Sequence, residues 1–383
     1  MKNAILCATC LFRLVSILLL AAGLHGCEND GNDELPSPPR NLLVAWTNDD
    51  GTGELGIMTA HEPYRFLGQA MPVGADAVMR CSGGKLFVLS QHNGTVAIVD
   101  PETQNSQTIA SVGNDEAIDV AVVDPDTAYV TRRTATHLLR VDIASGATTD
   151  AVDLSMYADD DGIPDLGMMA IHERRLFVQI RRVSASEPSG FAPPSYIAVV
   201  DLETEELVDT DPAMPGVQAI QLQGTAPKYK MQVISETNEL IVSASGAFFD
   251  QGGIEVIDLE ALETKGLVVR EADGEVGADL GPFLMLNPDE GFLVFSTDFD
   301  LSSHLQRFTL EGGVDPPPEL IVSVGYAVPA LELDTTGDRL FFPDGGIDTR
   351  GIRVFDVATG IEQTTAPLMT SGRPSDILLA CTD

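Results

Sequence analysis

The feature that most limits what this chain can fold into is a unit that recurs along residues 41–383. It reads as an apolar strand, a polar turn, a second strand, a short gap, and a third strand ending in an apolar residue followed by Asp. Clear endings are Val99-Asp100, Val141-Asp142, Val200-Asp201, Ile257-Asp258 and Phe355-Asp356, with degenerate copies at Met58-Thr59 and Phe308-Thr309. The final positions are 59, 100, 142, 201, 258, 309 and 356, so the steps are 41, 42, 59, 57, 51 and 47 residues. The middle strand repeats as well, in Leu86-Phe87-Val88-Leu89, Ala128-Tyr129-Val130-Thr131, Leu176-Phe177-Val178-Gln179, Leu240-Ile241-Val242-Ser243, Phe292-Leu293-Val294-Phe295 and Leu340-Phe341-Phe342. Near-continuous β-branched and aromatic runs of this length suit strands covered on both faces.

Seven units of roughly 40 to 60 residues, each with three or four short strands, predict an all-β, seven-bladed β-propeller. Such a ring must close or expose an unpaired edge. The last segment, Asp376-Ile377-Leu378-Leu379-Ala380-Cys381, matches the first strand of a unit, Asp76-Ala77-Val78-Met79-Arg80-Cys81. Asn41–Trp46 matches a second strand. The C-terminal strand is therefore expected to join the N-terminal blade as its innermost strand. Cys81 and Cys381 would then occupy equivalent inner positions on adjacent blades. Two states follow: a disulfide, which needs Cα atoms within about 7 Å, or two buried, inert thiols.

The recurring Asp has a local explanation. Asp at the first position of a turn accepts hydrogen bonds from backbone two residues on, and a later Gly supplies positive φ, as in Asp142–Gly146 and Asp356–Gly360. Acids outnumber bases, 58 to 22, for a formal charge of −36. That surface repels phosphate backbones, so no nucleic-acid partner is expected. Hydrophobic residues are 44% of the chain, which excludes a disordered acidic tail.

The N-terminus reads as an address. Lys2 supplies a positive start, and Leu11–Leu24 is apolar except for Arg13 and Ser16. The stretch is shorter than the ~20 residues a spanning helix needs and fits a secretory signal. Leu24-His25-Gly26-Cys27 resembles the lipobox of bacterial lipoproteins, with His25 departing from its small-residue preference. The resemblance implies a signal peptide over 1–26 and acylation of Cys27; simple secretion and an uncleaved anchor are the other readings. Residues 27–40 comprise the lipidated Cys and an acidic, flexible tether with almost no apolar residues. Cys7 and Cys10 fall in the leader, leaving Cys81 and Cys381 in the body. Partners implied are the membrane, through N-terminal acyl chains, and an unknown protein or glycan ligand. The expected location is the bacterial cell envelope, as an outer-membrane lipoprotein facing periplasm or cell surface. A monomer is expected.

Tyr129-Val130-Thr131, followed by Leu139-Arg140-Val141-Asp142 and Ser145-Gly146, resembles a YVTN-type β-propeller repeat, with Arg132 where that family prefers Asn. The resemblance spans residues 41–383. A Trp-Asp ending is missing and the chain has one Trp, so WD40 and tryptophan-docking repeats do not fit. Asp161–Asp165, Phe191-Ala192-Pro193, Asp211-Pro212 and Gly224–Pro227 also resemble segments of propeller lipoproteins of unassigned function in some Gram-negative bacteria. YVTN-type propellers are structurally similar to some lactonases and to haem d1 domains, which is fold analogy only.

With strands lettered A to D from the axis outward, the B–C and D–A loops of every blade share one face. The longest insertions fall there: Arg181–Ser195 inside blade 4, with Ser155–Leu166 before it and Asp209–Lys230 after it. Loops on a rigid scaffold are where binding usually resides. The expected binding face comprises Arg181, Arg182, Phe191, Tyr196, Lys228, Tyr229 and Lys230; the alternative is that these loops merely cover the blade edge. Asp159-Asp160-Asp161-Gly162-Ile163-Pro164-Asp165 resembles the DxDxDGxxD calcium loop, with Tyr157 in place of the first Asp. Asp159, Asp161 and Asp165 are therefore candidate calcium ligands, a solvated acidic turn being the default. No other cofactor is expected. The sequence lacks a Gly-x-Ser-x-Gly elbow, HExxH and CxxCH, and its five histidines after the leader are scattered and expected mainly in surface loops. The chain therefore reads as a non-enzymatic binding module. The alternative is a propeller hydrolase acting on lactones or sugars through carboxylates near the axis.

Overall fold

Each B strand carries apolar side chains on both faces, so each sheet needs a neighbour on either side. A computed structural model of the chain shows how that requirement is met. It describes residues 40–382 apart from 114–115, 185–189, 191, 247–250, 272–277, 298–301, 315–320 and 325–327. Seven antiparallel sheets of four or five strands form a seven-bladed β-propeller. Residues 1–39, which include the expected signal peptide, Cys27 and most of the expected tether, lie outside the described residues. Among the described residues no helix is long and apolar enough to cross a membrane.

Blade 2 illustrates the plan: A is Ala77–Ser82, B is Lys85–Ser90, C is Thr95–Asp100 and D is Asn105–Ser111. Alternation along B divides its side chains between two clusters. Phe87 and Leu89 pack with Val120, Val130 and Val141 of blade 3, while Leu86 and Val88 pack with Leu43, Ala45 and Leu55 of blade 1. The same division recurs at every junction. Seven hydrophobic clusters fill the seven gaps between neighbouring blades, including the gap between the last and the first. There Phe341, Ile352 and Val354 of blade 7 meet Leu42, Val44, Trp46 and Ile377 of blade 1. Each fully buried Leu, Val or Phe contributes about 1.5–3 kcal/mol of transfer free energy.

Closure follows the expected pairing of the C-terminal strand with the N-terminal blade. Asn41–Thr47 is strand B of blade 1, and Arg373–Leu379 pairs with it antiparallel as strand A, from Leu42 opposite Leu379 to Thr47 opposite Arg373. Polar side chains tie neighbouring inner strands together. Asp376 Oδ2 accepts Met79 N of blade 2 at 2.7 Å, Asp119 Oδ2 accepts Met169 N of blade 4 at 2.8 Å, and Gln232 Oε1 accepts Met285 N of blade 6 at 2.9 Å. Cys81 and Cys381 are joined in the structure with Cα atoms 5.4 Å apart; Cys81 is exposed and Cys381 half-buried, so neither is a buried thiol.

The recurring Asp residues form turns. Asp100 Oδ1 accepts Glu102 N and Thr103 N at 3.0 and 3.1 Å, Asp258 Oδ1 accepts Glu260 N and Ala261 N at 3.0 and 2.9 Å, and Asp142 and Asp356 do the same for Ser145 N and Thr359 N. Gly146 and Gly360 follow at φ 71° and 68°.

Two expectations need correction. The segment after blade 4 is not a simple D–A connection from Asp209 to Lys230. Ile220–Gln221 pairs with Tyr196–Ile197, and Glu206–Leu207 with Val200–Asp201, so the outer strand is split by the excursion between them. His304 is not a surface-loop residue; it sits buried inside Ser302–Thr309, strand C of blade 6, with Ser302 Oγ 2.6 Å from its Nε2.

Two outcomes test closure. Deleting residues 373–383 is expected to abolish cooperative urea unfolding, because blade 1 loses its inner strand and the ring acquires an open edge. Replacing both Cys81 and Cys381 by Ser is expected to leave the circular dichroism spectrum unchanged and lower stability by about 3–5 kcal/mol, from the entropy of a long closed loop.

Candidate functional site

The blade 4 loops are held by one buried acid. Asp165, at φ 54°, accepts Val183 N on Oδ2 at 2.8 Å, while its carbonyl accepts Arg181 N at 3.1 Å. Burial pushes its carboxyl up to about 6. Asp161 Oδ1 accepts Ile163 N at 2.7 Å and Asp159 Oδ1 accepts Asp161 N at 3.2 Å, the bonds of an acidic turn. Burial, with Asp161 nearby, also raises the Asp159 carboxyl. Among the described residues no group of three His, Cys, Asp or Glu side chains is arranged to hold a metal.

The expected binding face divides in two. Arg182 donates to Pro194 O at 3.1 Å and lies over the Tyr196 ring at 5.8 Å, and Tyr196 packs against Tyr157 at 6.1 Å. These residues build the loop itself. Phe191 lies outside the described residues. Lys230 is bound to Asp376, 2.7 Å from Oδ1. Arg181, Lys228 and Tyr229 reach a different place: a cavity of about 360 Å³ at the axial mouth, on the face that carries the D–A and B–C loops.

Inner strands, or the segments entering them, wall this cavity in six of the seven blades: Pro374 of blade 1, Val78 of blade 2, Ile118 of blade 3, Met168 of blade 4, Tyr229 of blade 5 and Val328 of blade 7. Convergence at the axis thus brings together residues up to about 300 positions apart. Arg133 and Arg373 also line it. Sequence reasoning missed both. Arg133 sits just beyond the Thr127–Arg132 strand, in a B–C turn of ordinary length, and Arg373 reaches the mouth only through ring closure. The signal available was positional, since every B–C turn and every A-strand start faces the same side.

Further along the inner strands, carboxylates are committed. Asp119, fully buried, accepts Val120 N and Met169 N, both at 2.8 Å, and pairs with Arg80 at 2.8 Å. Asp376 accepts Met79 N and Ile377 N and pairs with Lys230. Glu332, in strand A of blade 7, accepts Leu333 N at 3.2 Å, and burial pushes its carboxyl up to about 7. Away from the mouth, Glu271 is buried at the junction of blades 5 and 6, accepts Gly252 N at 2.7 Å and Leu280 N at 3.2 Å, and is raised by burial to about 7.

No established protein family matches this sequence, and no curated protein matches it. Solved structures do. A "putative 6-phosphogluconolactonase" of Bacteroides fragilis superposes with a TM-score of 0.61 at 11% identity, over 89% of this chain and 98% of that one. A functionally unknown protein of Desulfotomaculum acetoxidans gives 0.59 at 13% identity, over 89% and 99%. Dihydro-heme d1 dehydrogenase NirN gives 0.56 at 14% identity, over 90% and 78%. At these identities the likeness is one of fold.

The raised carboxyls set a pH dependence. Glu271 keeps a proton in the folded state that the unfolded chain releases near 4.5, so its contribution is present at low pH and disappears as pH rises through about 7. A shift of that size on a buried group corresponds to about 3 kcal/mol. The urea midpoint is expected to fall between pH 5 and pH 8, and Glu271→Gln is expected to flatten that slope whatever its absolute stability.

Proposed function

We propose that this protein is a lipid-anchored, non-enzymatic binding module of a bacterial envelope, and that its ligand enters the axial mouth. The observation that carries this reading is the cavity of about 360 Å³ walled by inner strands, or the segments entering them, of six blades, into which the insertion inside blade 4 sends Arg181 and the segment after that blade sends Lys228 and Tyr229. Its volume falls in the lower part of the ~300–1,000 Å³ range of small-molecule sites. The ligand is therefore a small molecule rather than a protein or a glycan chain. The contact surface shifts accordingly from the outer blade 4 loops to the centre. The Leu24-His25-Gly26-Cys27 resemblance supports acylation at Cys27, and the Tyr129–Gly146 resemblance supports a YVTN-type repeat.

The hydrolase alternative draws on the lactonase-like neighbour and on axial carboxylates. Against it, Asp119 and Asp376 spend their oxygens on inter-blade amide donors and on Arg80 and Lys230. A general acid or base needs a carboxyl within reach of substrate.

Two measurements test the reading. Labelled palmitate is expected to enter the wild-type chain in a bacterial host and not Cys27→Ser, which should leave the membrane fraction. Native mass spectrometry of protein taken from its own envelope is expected to find a small molecule that Ile118→Trp, which fills the cavity, no longer retains. An empty wild-type protein that hydrolyses a lactone would favour the alternative.

A further inference from the structure

The charge inside the mouth is opposite to that of the molecule around it. The chain carries 22 Lys and Arg in 383 residues against 58 acids, yet four of the fifteen cavity-lining residues are cationic: Arg133, Arg181, Lys228 and Arg373. The lining holds one acid, Asp76. Two of these cations have partners. Arg133 lies 2.9 Å from Glu116, and Arg373 lies 3.8 Å from Asp76. Arg181 and Lys228 have no carboxylate at ion-pair distance among the described residues. Asp165 acts on Arg181 and Asp279 on Lys228 only from further away.

Burial, and then Arg133, hold the Arg181 guanidinium below its ordinary value; Lys228 is solvent-exposed at the rim, yet desolvation by the surrounding walls, then Arg181 and, against the pull of Asp279, Arg133 lower its ammonium too. Each therefore feels the other's kind of charge. Two polar atoms of the lining, Arg181 Nε and Ser375 Oγ, are buried without a hydrogen-bond partner among the described residues. Lys228 meanwhile lies 5.5 Å from the Tyr229 ring centroid, whose face steadies a cation without neutralising it. Like charges gathered in a concave site repel one another. A bound anion relieves that repulsion.

We infer that the axial mouth recognises a small organic anion, its carboxylate or phosphate group held between Arg181 and Lys228. The inference rests on the binding reading above and adds the chemical class of the ligand. Arg133 and Arg373, each partly neutralised, supply the surrounding positive field, and the apolar wall of Val78, Ile118 and Met168 takes the remainder of the molecule.

The test uses the full-length, detergent-solubilised protein at low ionic strength, titrated calorimetrically with inorganic phosphate and, in parallel, with malonate. Saturable binding of at least one probe is expected, weakening as salt rises. Arg181→Ala and Lys228→Ala are each expected to weaken it more than tenfold, Arg181→Lys to restore part of it, and the exposed Arg65→Ala to leave it unchanged. Without anion, both alanine variants are expected to melt no lower than wild type, since they remove repulsion; this separates lost binding from lost folding. The stronger probe identifies the preferred group. Absence of binding by both probes, or equal binding by the double alanine variant, would overturn the inference. If Ile118→Trp then still displaced a neutral molecule retained from the envelope, the axial-site reading would survive without its anion; if nothing occupied the cavity, both would fail.

Discussion

The structure depends on a requirement that no single blade can satisfy. Each sheet is apolar on both faces, so it is stable only between two others, and a row of such sheets ends only by returning to its start. Pairing of Arg373–Leu379 with Asn41–Thr47 is that return. It completes blade 1, brings the seventh hydrophobic cluster into being between blades 7 and 1, and sets Cys381 beside Cys81. Because the chain's ends share one sheet, loss of either opens a packed interface as well as an edge.

Closure also creates the site. Inner strands cannot converge without bringing their starting residues to one mouth, and the loops on that face inherit its geometry. Acids further along the inner strands, Asp119 and Asp376, hold neighbouring blades through backbone amides and absorb Arg80 and Lys230. Arg181, just after strand B of blade 4, and Lys228, in the segment before blade 5, line the cavity. The same residue types thus stand paired in one layer and unpaired at the cavity in the next, and the presence of an amide-bound carboxylate partner separates the two settings.

Much of the fold was legible in the sequence because its causes are local and repeated. The near-continuous apolar run of Leu86–Leu89 and its copies and the Asp endings with their turns, together with the match of residues 376–381 to 76–81, each name one element and its place. The insertions that carry Arg181, Lys228 and Tyr229 to the cavity were legible because their length advertises them. Arg133 and Arg373 were not, because ordinary loops carry them and only the closed ring brings residue 373 beside residue 76. Lys230 looked like a binding residue since its partner, Asp376, is 146 positions away. The split outer strand of blade 4 was missed because Ile220–Gln221 is too short to show a pattern and is defined only by its pairing with Tyr196–Ile197.

Hydrogen exchange followed by mass spectrometry tests the closed ring most directly, since it reports whether the two chain ends unfold as one unit. Amides of residues 373–379 are predicted to exchange at the same slow rate as those of 41–47 and to lose protection together with them as urea rises. Rapid exchange over 373–379 beside a protected 41–59 would contradict the account.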